Sequence, residues 1–254
     1  MKIGKRSINE FKDRILDPSS YIGILNFFQV HENPLKAILN EGFSLGDYPC
    51  VINIKTPVGK HKVKLWSVAD FSTLNLVFCR KDYYTPANLK TVIDIGSNVG
   101  LSTLYWLTRN NDSFTYCYEP SPISLERLEE NLKDLSGRYS VEQAAVSDFN
   151  GQGQLGIEKS GVYSSLDLKS EEYVECQVLC INEILEKVCS ERNNIDVLKI
   201  DSEGHELRTL KAIDKNFWNK ISVINVDMFG ASKYIPENFQ YSVVASSERY
   251  VKQL

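Results

Sequence analysis

Along the 254-residue chain, hydrophobic positions change their rhythm from one stretch to the next. From residue 1 to about 45 they recur at patchy helical spacing. Ile15, Tyr21, Ile24 and Leu25 come first, then Leu35, Ile38 and Leu39, with Pro18 and Pro34 as breaks. This predicts short helices. From Cys50 to Trp66 the period drops to two. Ile52 and Ile54 alternate with Asn53 and Lys55 up to a turn at Pro57-Val58-Gly59, and Val63 and Leu65 alternate with Lys62 and Lys64 beyond it. That pattern is strand, turn, strand. Asp70-Phe71-Ser72-Thr73-Leu74 reads as a capped helix start leading to Tyr83-Tyr84. This first third carries no chemistry of its own and reads as a lid, a substrate platform or a packing unit.

From residue 91 strand and helix patterns alternate. Strand 91–95 precedes a helix near 99–109. Strand 114–119 precedes a helix near 122–134, with Ser121 as N-cap, Pro122 at the first helical position and a stripe of Leu125, Leu128, Leu132 and Leu135. A strand is predicted near 140–146. Gly151, Gly153, Gly156 and Gly161 then punctuate partly alternating residues, which predicts a β-hairpin insertion over 151–178. A helix near 181–190, a buried strand 196–201, a helix carrying Leu207, Leu210 and Ile213, a strand 221–226 and short strands near 241–245 and 249–253 complete the pattern. The alternation predicts an α/β fold, a mostly parallel sheet with helices on both faces. The expected division is a helical and β-hairpin extension over 1–85 and a cofactor-binding domain over 86–254.

Composition narrows the classes of partner. Hydrophobic content is 43%, charged content 24% and the formal net charge −4. No basic run suggests a nucleic-acid groove, so nucleic acid is not an expected partner. No window resembles a membrane span, and the basic start of the chain lacks the apolar run of a secretion signal. Cys50, Cys79, Cys117, Cys176, Cys180 and Cys189 form no Cys-x-x-Cys pair and lie at no zinc-like spacing from histidine. Reduced thiols and a cytoplasmic location are the expectation. Oligomeric state is not legible.

The chemistry concentrates after residue 91. Thr91-Val92-Ile93-Asp94-Ile95-Gly96-Ser97-Asn98-Val99-Gly100 is an apolar strand with an acid, a glycine turn, a second glycine and a helix start. In an open parallel sheet, ligands sit beyond the carboxyl ends of the strands. Asp94, Glu119 and Asp201 all fall at predicted strand ends and should converge there. An acid at the second strand end can accept hydrogen bonds from ribose hydroxyls, which suits Glu119. The Gly-x-x-x-Gly spacing is looser than a pyrophosphate cradle. It fits S-adenosyl-L-methionine, which has no phosphate, better than a dinucleotide.

The segment Val92 to Gly100 resembles motif I of class I S-adenosylmethionine-dependent methyltransferases. Asp196-Val197-Leu198-Lys199-Ile200-Asp201-Ser202-Glu203-Gly204-His205-Glu206-Leu207 is similar to the Lys-Ile-Asp-x-Glu-Gly-x-Glu signature of the FkbM family. Gln143-Ala144-Ala145-Val146-Ser147-Asp148, Gly151 and Ser164-Ser165-Leu166 extend the match over roughly residues 70 to 228. Asp227 departs from the family's more usual Glu, and Gln143 from its Asn. The resemblance implies a Rossmann-like, seven-stranded methyltransferase sheet and O-methylation of sugars or secondary metabolites. It implies that Asp94, Gly96, Ser97, Asn98 and Gly100 line the methionine end and that Glu119 holds the ribose. Gln143, Ala144 and Ala145 would border the adenine, and Asp201 would lie near the transferring methyl.

An alcohol acceptor must lose a proton, so a base is needed. Asp201, Glu203 and His205 are the local candidates. A solvent-facing helix position is the commoner reading of such a histidine. Glu203 could instead cap the helix, and Glu206 could pair on the surface with Arg208 or Lys211. Asp201, Glu203 and Asp227 could also hold a divalent cation. Tyr163, Ser164 and Ser165 are candidates for substrate contact. The expected activity is O-methylation of a sugar in a glycan or nucleotide-sugar precursor, as in polysaccharide biosynthesis. The alternatives are a polyketide or other small acceptor and a non-catalytic cofactor-binding module.

Overall fold

The computed structural model describes residues 2–3, 6–7, 18–43, 47–83, 85–157, 164–165, 172–202, 204–244 and 247–253. Ile15, Tyr84, Gly161, Tyr163, Leu166 and Glu203, named above, lie outside them. The chain divides into two compact units, Met1–Asp82 and Tyr83–Leu254.

The first unit begins with a short antiparallel pair, β1 (Lys2–Ile3) and β2 (Arg6–Ser7), followed by helices α1 (Pro18–Val30) and α2 (Pro34–Phe43). The predicted hairpin follows as β3 (Cys50–Thr56) and β4 (Gly59–Leu65), in register Cys50↔Leu65 through Thr56↔Gly59. Helix α3 (Val68–Leu74) continues into a π-helical turn, Asn75–Arg80. Its cap is Ser67, three residues earlier than the expected helix start. The Ser67 hydroxyl accepts from Asp70 N, while Asp70 Oδ2 accepts from Ser67 N, a reciprocal capping box. Ile54, Val63, Leu65, Phe71 and Leu74 are the buried apolar residues of this unit's centre.

The second unit holds the strand–helix alternation. It comprises β5 (Thr91–Ile95), α4 (Leu101–Leu107), β6 (Phe114–Tyr118), α5 (Pro122–Leu132), β7 (Tyr139–Glu142), β8 (Ala144–Ser147), β9 (Gly151–Ile157), β10 (Ser164–Ser165) and β11 (Glu172–Cys180). It continues with α6 (Ile181–Arg192), β12 (Ile195–Ile200), α7 (Glu206–Ala212), β13 (Ile221–Val226), β14 (Phe239–Val244) and β15 (Ser247–Lys252). Seven strands form one sheet in the order β14-β15-β13-β12-β5-β6-β7. All neighbours are parallel except β15, which is antiparallel to β13 and β14. The chain runs outward from β5 to β7 and then returns to the other side of β5. The β5–β12 junction is therefore the topological switch point, where open α/β sheets bind ligands.

The strand predicted near 140–146 is two strands in two sheets. β7 ends at Glu142, and after Gln143 the chain enters β8, which pairs with β11 in a four-stranded sheet ordered β10-β9-β11-β8. Tyr139 and Val141 of β7 are half-buried and Ala144 to Val146 of β8 are buried, and no glycine or proline marks the break between them. The 151–178 hairpin is present, with Glu172↔Ile157 through Val178↔Gly151 in register.

Period-two alternation divides the main sheet. Ile93, Ile95, Tyr116, Tyr118, Leu198, Ile200, Ile224 and Val226 join α6 residues Ile181, Ile184, Leu185 and Val188 in one cluster. The intervening positions face the other way. There Asp94, Cys117, Lys199 and Asn225 are in register across four adjacent strands and form a buried polar row one position before each strand end. The α5 leucine stripe is buried at Leu128 and Leu132, and Leu128 packs against Gly100. Leu128→Ala should cost about 2–5 kcal/mol, because it opens a cavity in a close-packed seam. Urea unfolding followed by circular dichroism measures this, and a loss below about 1 kcal/mol would contradict the packing described.

Candidate active site

The site is built around the two loops that leave β5 and β12. Asp94 lies within β5 and is fully buried. Its Oδ2 accepts from Ser102 Oγ at 2.7 Å and Thr103 Oγ1 at 2.6 Å, which ties the strand to α4. Its Oδ1 lies 3.2 Å from Lys199 Nζ. Asp94 thus braces the loop from beneath. Lys199, directly alongside in β12, has a side chain only 3% exposed. Its ammonium donates to Ile95 O at 3.2 Å and Gly96 O at 2.7 Å, and lies 3.1 Å from Asp201 Oδ2. Burial works against the charge, but Asp201 and Asp94 outweigh it and raise the lysine pKa well above its ordinary value. Lys199 has no role assigned from sequence alone. Its signal there is a lysine between Leu198 and Ile200 in a mostly apolar strand.

Gly96 sits where the two loops meet. Its φ is +74°, and a Cβ there would lie 1.7 Å from the carbonyl oxygen of Asp201. Only glycine fits. The loop is then locked by Gly96 N donating to Tyr118 O at 2.9 Å, Ser97 Oγ donating to Asp94 O at 2.8 Å and Gly100 N donating to Ser97 O at 2.9 Å. Asn98 takes a positive φ of 46°, which asparagine tolerates better than most residues.

Glu119 follows β6 and is buried. Its Oε2 accepts from Asn98 N at 2.8 Å and its Oε1 from Ser121 N at 2.9 Å. Burial dominates its titration and pushes the carboxyl up to about 7, against the opposing effect of those amides. Each oxygen keeps a further lone pair for a hydroxyl.

Asp201 lies just beyond β12, with Tyr83 OH 3.5 Å from its Oδ2. The Tyr83 ring lies 5.7 Å from Lys199 Nζ and 5.9 Å from the Trp106 ring. Burial, reinforced by the Asp201 charge, raises the Tyr83 hydroxyl well above its normal value, so it remains a donor. The sequence reading also missed Tyr83, which lies 118 positions from Asp201. Asp227 follows β13, with its backbone N donating to Ile200 O at 3.0 Å. Partial desolvation and the Asp201 charge raise its carboxyl.

Other predicted residues sit differently. His205 is buried, not solvent-facing, and its Nδ1 lies 3.0 Å from Ser147 Oγ at the end of β8. Glu206 is buried too, not at the surface. Its carboxylate accepts from Ser202 N at 2.8 Å and Gly204 N at 2.9 Å, fixing the loop after Asp201. Gln143 is exposed between β7 and β8, while Ala144 and Ala145 are buried in β8. Ser164 and Ser165 pair with Ile157 and Gly156. Among the described residues no cluster of three His, Cys, Asp or Glu is arranged to hold a metal. Glu203, one of the proposed ligands, lies outside them. At the β12 edge the position beside Asp94 and Asp201 already holds a cation, the Lys199 ammonium.

The profile of the methyltransferase FkbM domain matches residues 94–244, more than half of the chain. The chain belongs to the FkbM methyltransferase family. The seven-stranded order with one antiparallel strand is the Rossmann-like methyltransferase arrangement, and this FkbM protein is a methyltransferase. It is 24% identical over 189 residues to methyltransferase sdnD of Sordaria araneosa, covering 61% of this chain and 73% of that one. It is 28% identical over 120 residues to the hexuronic acid methyltransferase AglP of Haloferax volcanii, covering 47% of this chain and 48% of that one. A methyltransferase structure from Geobacter sulfurreducens aligns over 99% of each chain at 11% identity and a TM-score of 0.40. Among the described residues no helix is long and apolar enough to cross a membrane.

Two substitutions test the geometry of the loop junction. Gly96→Ala should destabilise by about 3 kcal/mol or more, combining left-handed strain with backbone overlap. Gly100→Ala, whose Cβ would meet Leu128 Cγ at 3.0 Å and Leu128 Cα at 3.3 Å, a far looser approach than at Gly96, should lose about 1–2 kcal/mol. Chemical denaturation ranks them, and equal losses would contradict the close approach at Asp201. Lys199→Met should cost about 3–5 kcal/mol by leaving two carboxylates without their buried partner. A melting temperature within a degree of the parent would contradict that role.

Proposed function

We propose that this FkbM methyltransferase transfers the methyl group of S-adenosyl-L-methionine to a hydroxyl of a sugar, in a glycan or a nucleotide-sugar precursor. The observation that carries the cofactor reading is the charge of the carboxyl edge. Lys199 is neutralised by Asp94 and Asp201, while Glu119 and Asp227 leave the rim acidic. Such an edge suits a cofactor bearing a sulfonium and an ammonium, and it opposes a pyrophosphate. The donor set also fits, because Glu119 retains acceptor positions for two ribose hydroxyls. Support for a sugar acceptor comes from the similarity to AglP, whose name specifies a hexuronic acid.

When bound, S-adenosyl-L-methionine supplies a methyl carbon activated by its sulfonium. The chain's contribution is orientation and proton removal. In this reading the loop Gly96-Ser97-Asn98-Val99-Gly100 receives the amino-acid end, with Asp94 holding that loop from below. Glu119 binds the ribose, and Gln143, Ala144 and Ala145 border the base. Asp201 accepts the proton of the acceptor hydroxyl, with Lys199 and Tyr83 fixing its carboxylate. It suits this role better than His205, which is turned toward Ser147.

Isothermal titration with S-adenosylhomocysteine tests the cofactor half. The ionised Glu119 carboxylate accepts from hydroxyls, and its proton leaves near pH 7 in the free protein. Affinity should therefore rise roughly tenfold from pH 6 to pH 8 and level off above. Folding stability of the free protein should follow the opposite trend. A carboxyl raised from 4.5 to about 7 contributes less stability as pH climbs through that window. Glu119→Gln should flatten the binding profile. Absence of binding by folded protein would sink the proposal. Asp201→Asn should lower kcat by about 10²–10⁴-fold in a methyl-transfer assay on sugars, as expected for loss of a general base. Unchanged turnover would exclude Asp201 as the base.

A further inference from the structure

The loop after β13 is pinned at both ends and presents an aromatic ring between them. At its start, Ser247 Oγ donates to Asp227 Oδ1 at 3.0 Å. At its far side, Glu248, the next residue of β15, is 2% exposed. Its Oε1 accepts from Gly230 N at 2.8 Å and Tyr241 OH at 3.1 Å, and its Oε2 from Ala231 N at 2.8 Å and Tyr250 OH at 2.6 Å. A carboxylate buried this deeply is costly to desolvate, and four donors offset that cost. Beyond the clamp, Tyr234 lies under the Lys211 ammonium at 4.7 Å. Between the pins, Phe229 is 62% exposed.

A single exposed aromatic is ordinary on a protein surface. This one stands on a loop fixed by a saturated buried acid, two residues from Asp227 and leading directly from the strand beside Asp201. We propose that Phe229 is the stacking platform for the acceptor sugar, and that Ser247 and Glu248 are positioning residues that hold it at the mouth of the active site. A sugar ring has an apolar C–H face that packs on an aromatic face and a rim of hydroxyls that seeks acceptors. Phe229 supplies the first surface, and Asp227 and Asp201 supply the second. The ring then rests across the loop with one hydroxyl presented to Asp201. This inference rests on the sugar O-methyltransferase reading and adds the residue on which the acceptor ring packs.

The test uses the full chain with S-adenosyl-L-methionine and a panel of hexoses, hexuronic acids, their uridine diphosphate esters and planar phenols. F229A should raise the KM for the transferred sugar about tenfold, the scale of one aromatic stacking contact. S-adenosylhomocysteine affinity, measured by titration, should stay within about twofold, which shows that the cofactor half is intact. F229W should restore KM, whereas F229L, with apolar bulk but no aromatic face, should not. A parental KM in F229A or F229L, on an enzyme that does methylate a sugar, overturns the platform and leaves the sugar reading standing. Transfer by the parent to phenols and to no sugar overturns the sugar reading and the platform with it.

Discussion

The Lys199 ammonium is the constraint on which this structure depends. It is buried where β5 and β12 run side by side, and its contacts include Asp94 of β5, Asp201 just beyond β12 and the carbonyls of Ile95 and Gly96. An uncompensated charge at this depth would cost many kcal/mol. Its acceptors therefore cannot drift. Asp94, Ile95, Gly96 and Asp201 are held around one point, and the loops that leave β5 and β12 are fixed relative to each other. The close approach of Gly96 to the Asp201 carbonyl is the steric counterpart of the same constraint.

That arrangement separates support from contact. Asp94 and Glu206 are acids of the signature segments, and both point their carboxylates at the protein itself. Asp94 braces strand to helix, and Glu206 braces the loop after Asp201. Glu119 and Asp201 keep acceptor lone pairs for further hydrogen bonds. The polar row of Cys117, Asp94, Lys199 and Asn225 lies one position below the strand ends. Polar groups at that level allow the apolar sheet to terminate in a charged edge without a change of fold.

The sequence disclosed the fold wherever period and turn chemistry agreed. Strand 221–226, the Ser121 cap with Pro122 and the hairpin register around Pro57-Val58-Gly59 all follow from local pattern. It failed at Gln143, because the chain passes from β7 to β8 with no glycine, proline or turn residue to mark the change of sheet. Within the site, glycine spacing and strand-end acids were legible because each is local. Tyr83 and the burial of His205 and Glu206 were not, since their partners lie across the fold or depend on side-chain direction. Lys199 stood inside a quoted motif, yet its meaning needed the register with Asp94. One-dimensional spacing cannot show a cross-strand neighbour.

In the proposed complex the methyl donor lies across the switch point with its ribose on Glu119, while Lys199 stays in place beneath it. A crystal structure of the protein with S-adenosylhomocysteine measures this directly. The prediction is ribose hydroxyls within about 3 Å of the Glu119 carboxylate, the amino-acid end against Gly96 to Gly100, and Lys199 still paired with Asp94 and Asp201. A ligand bound elsewhere, or a Lys199 ammonium displaced from those carboxylates on binding, would contradict it.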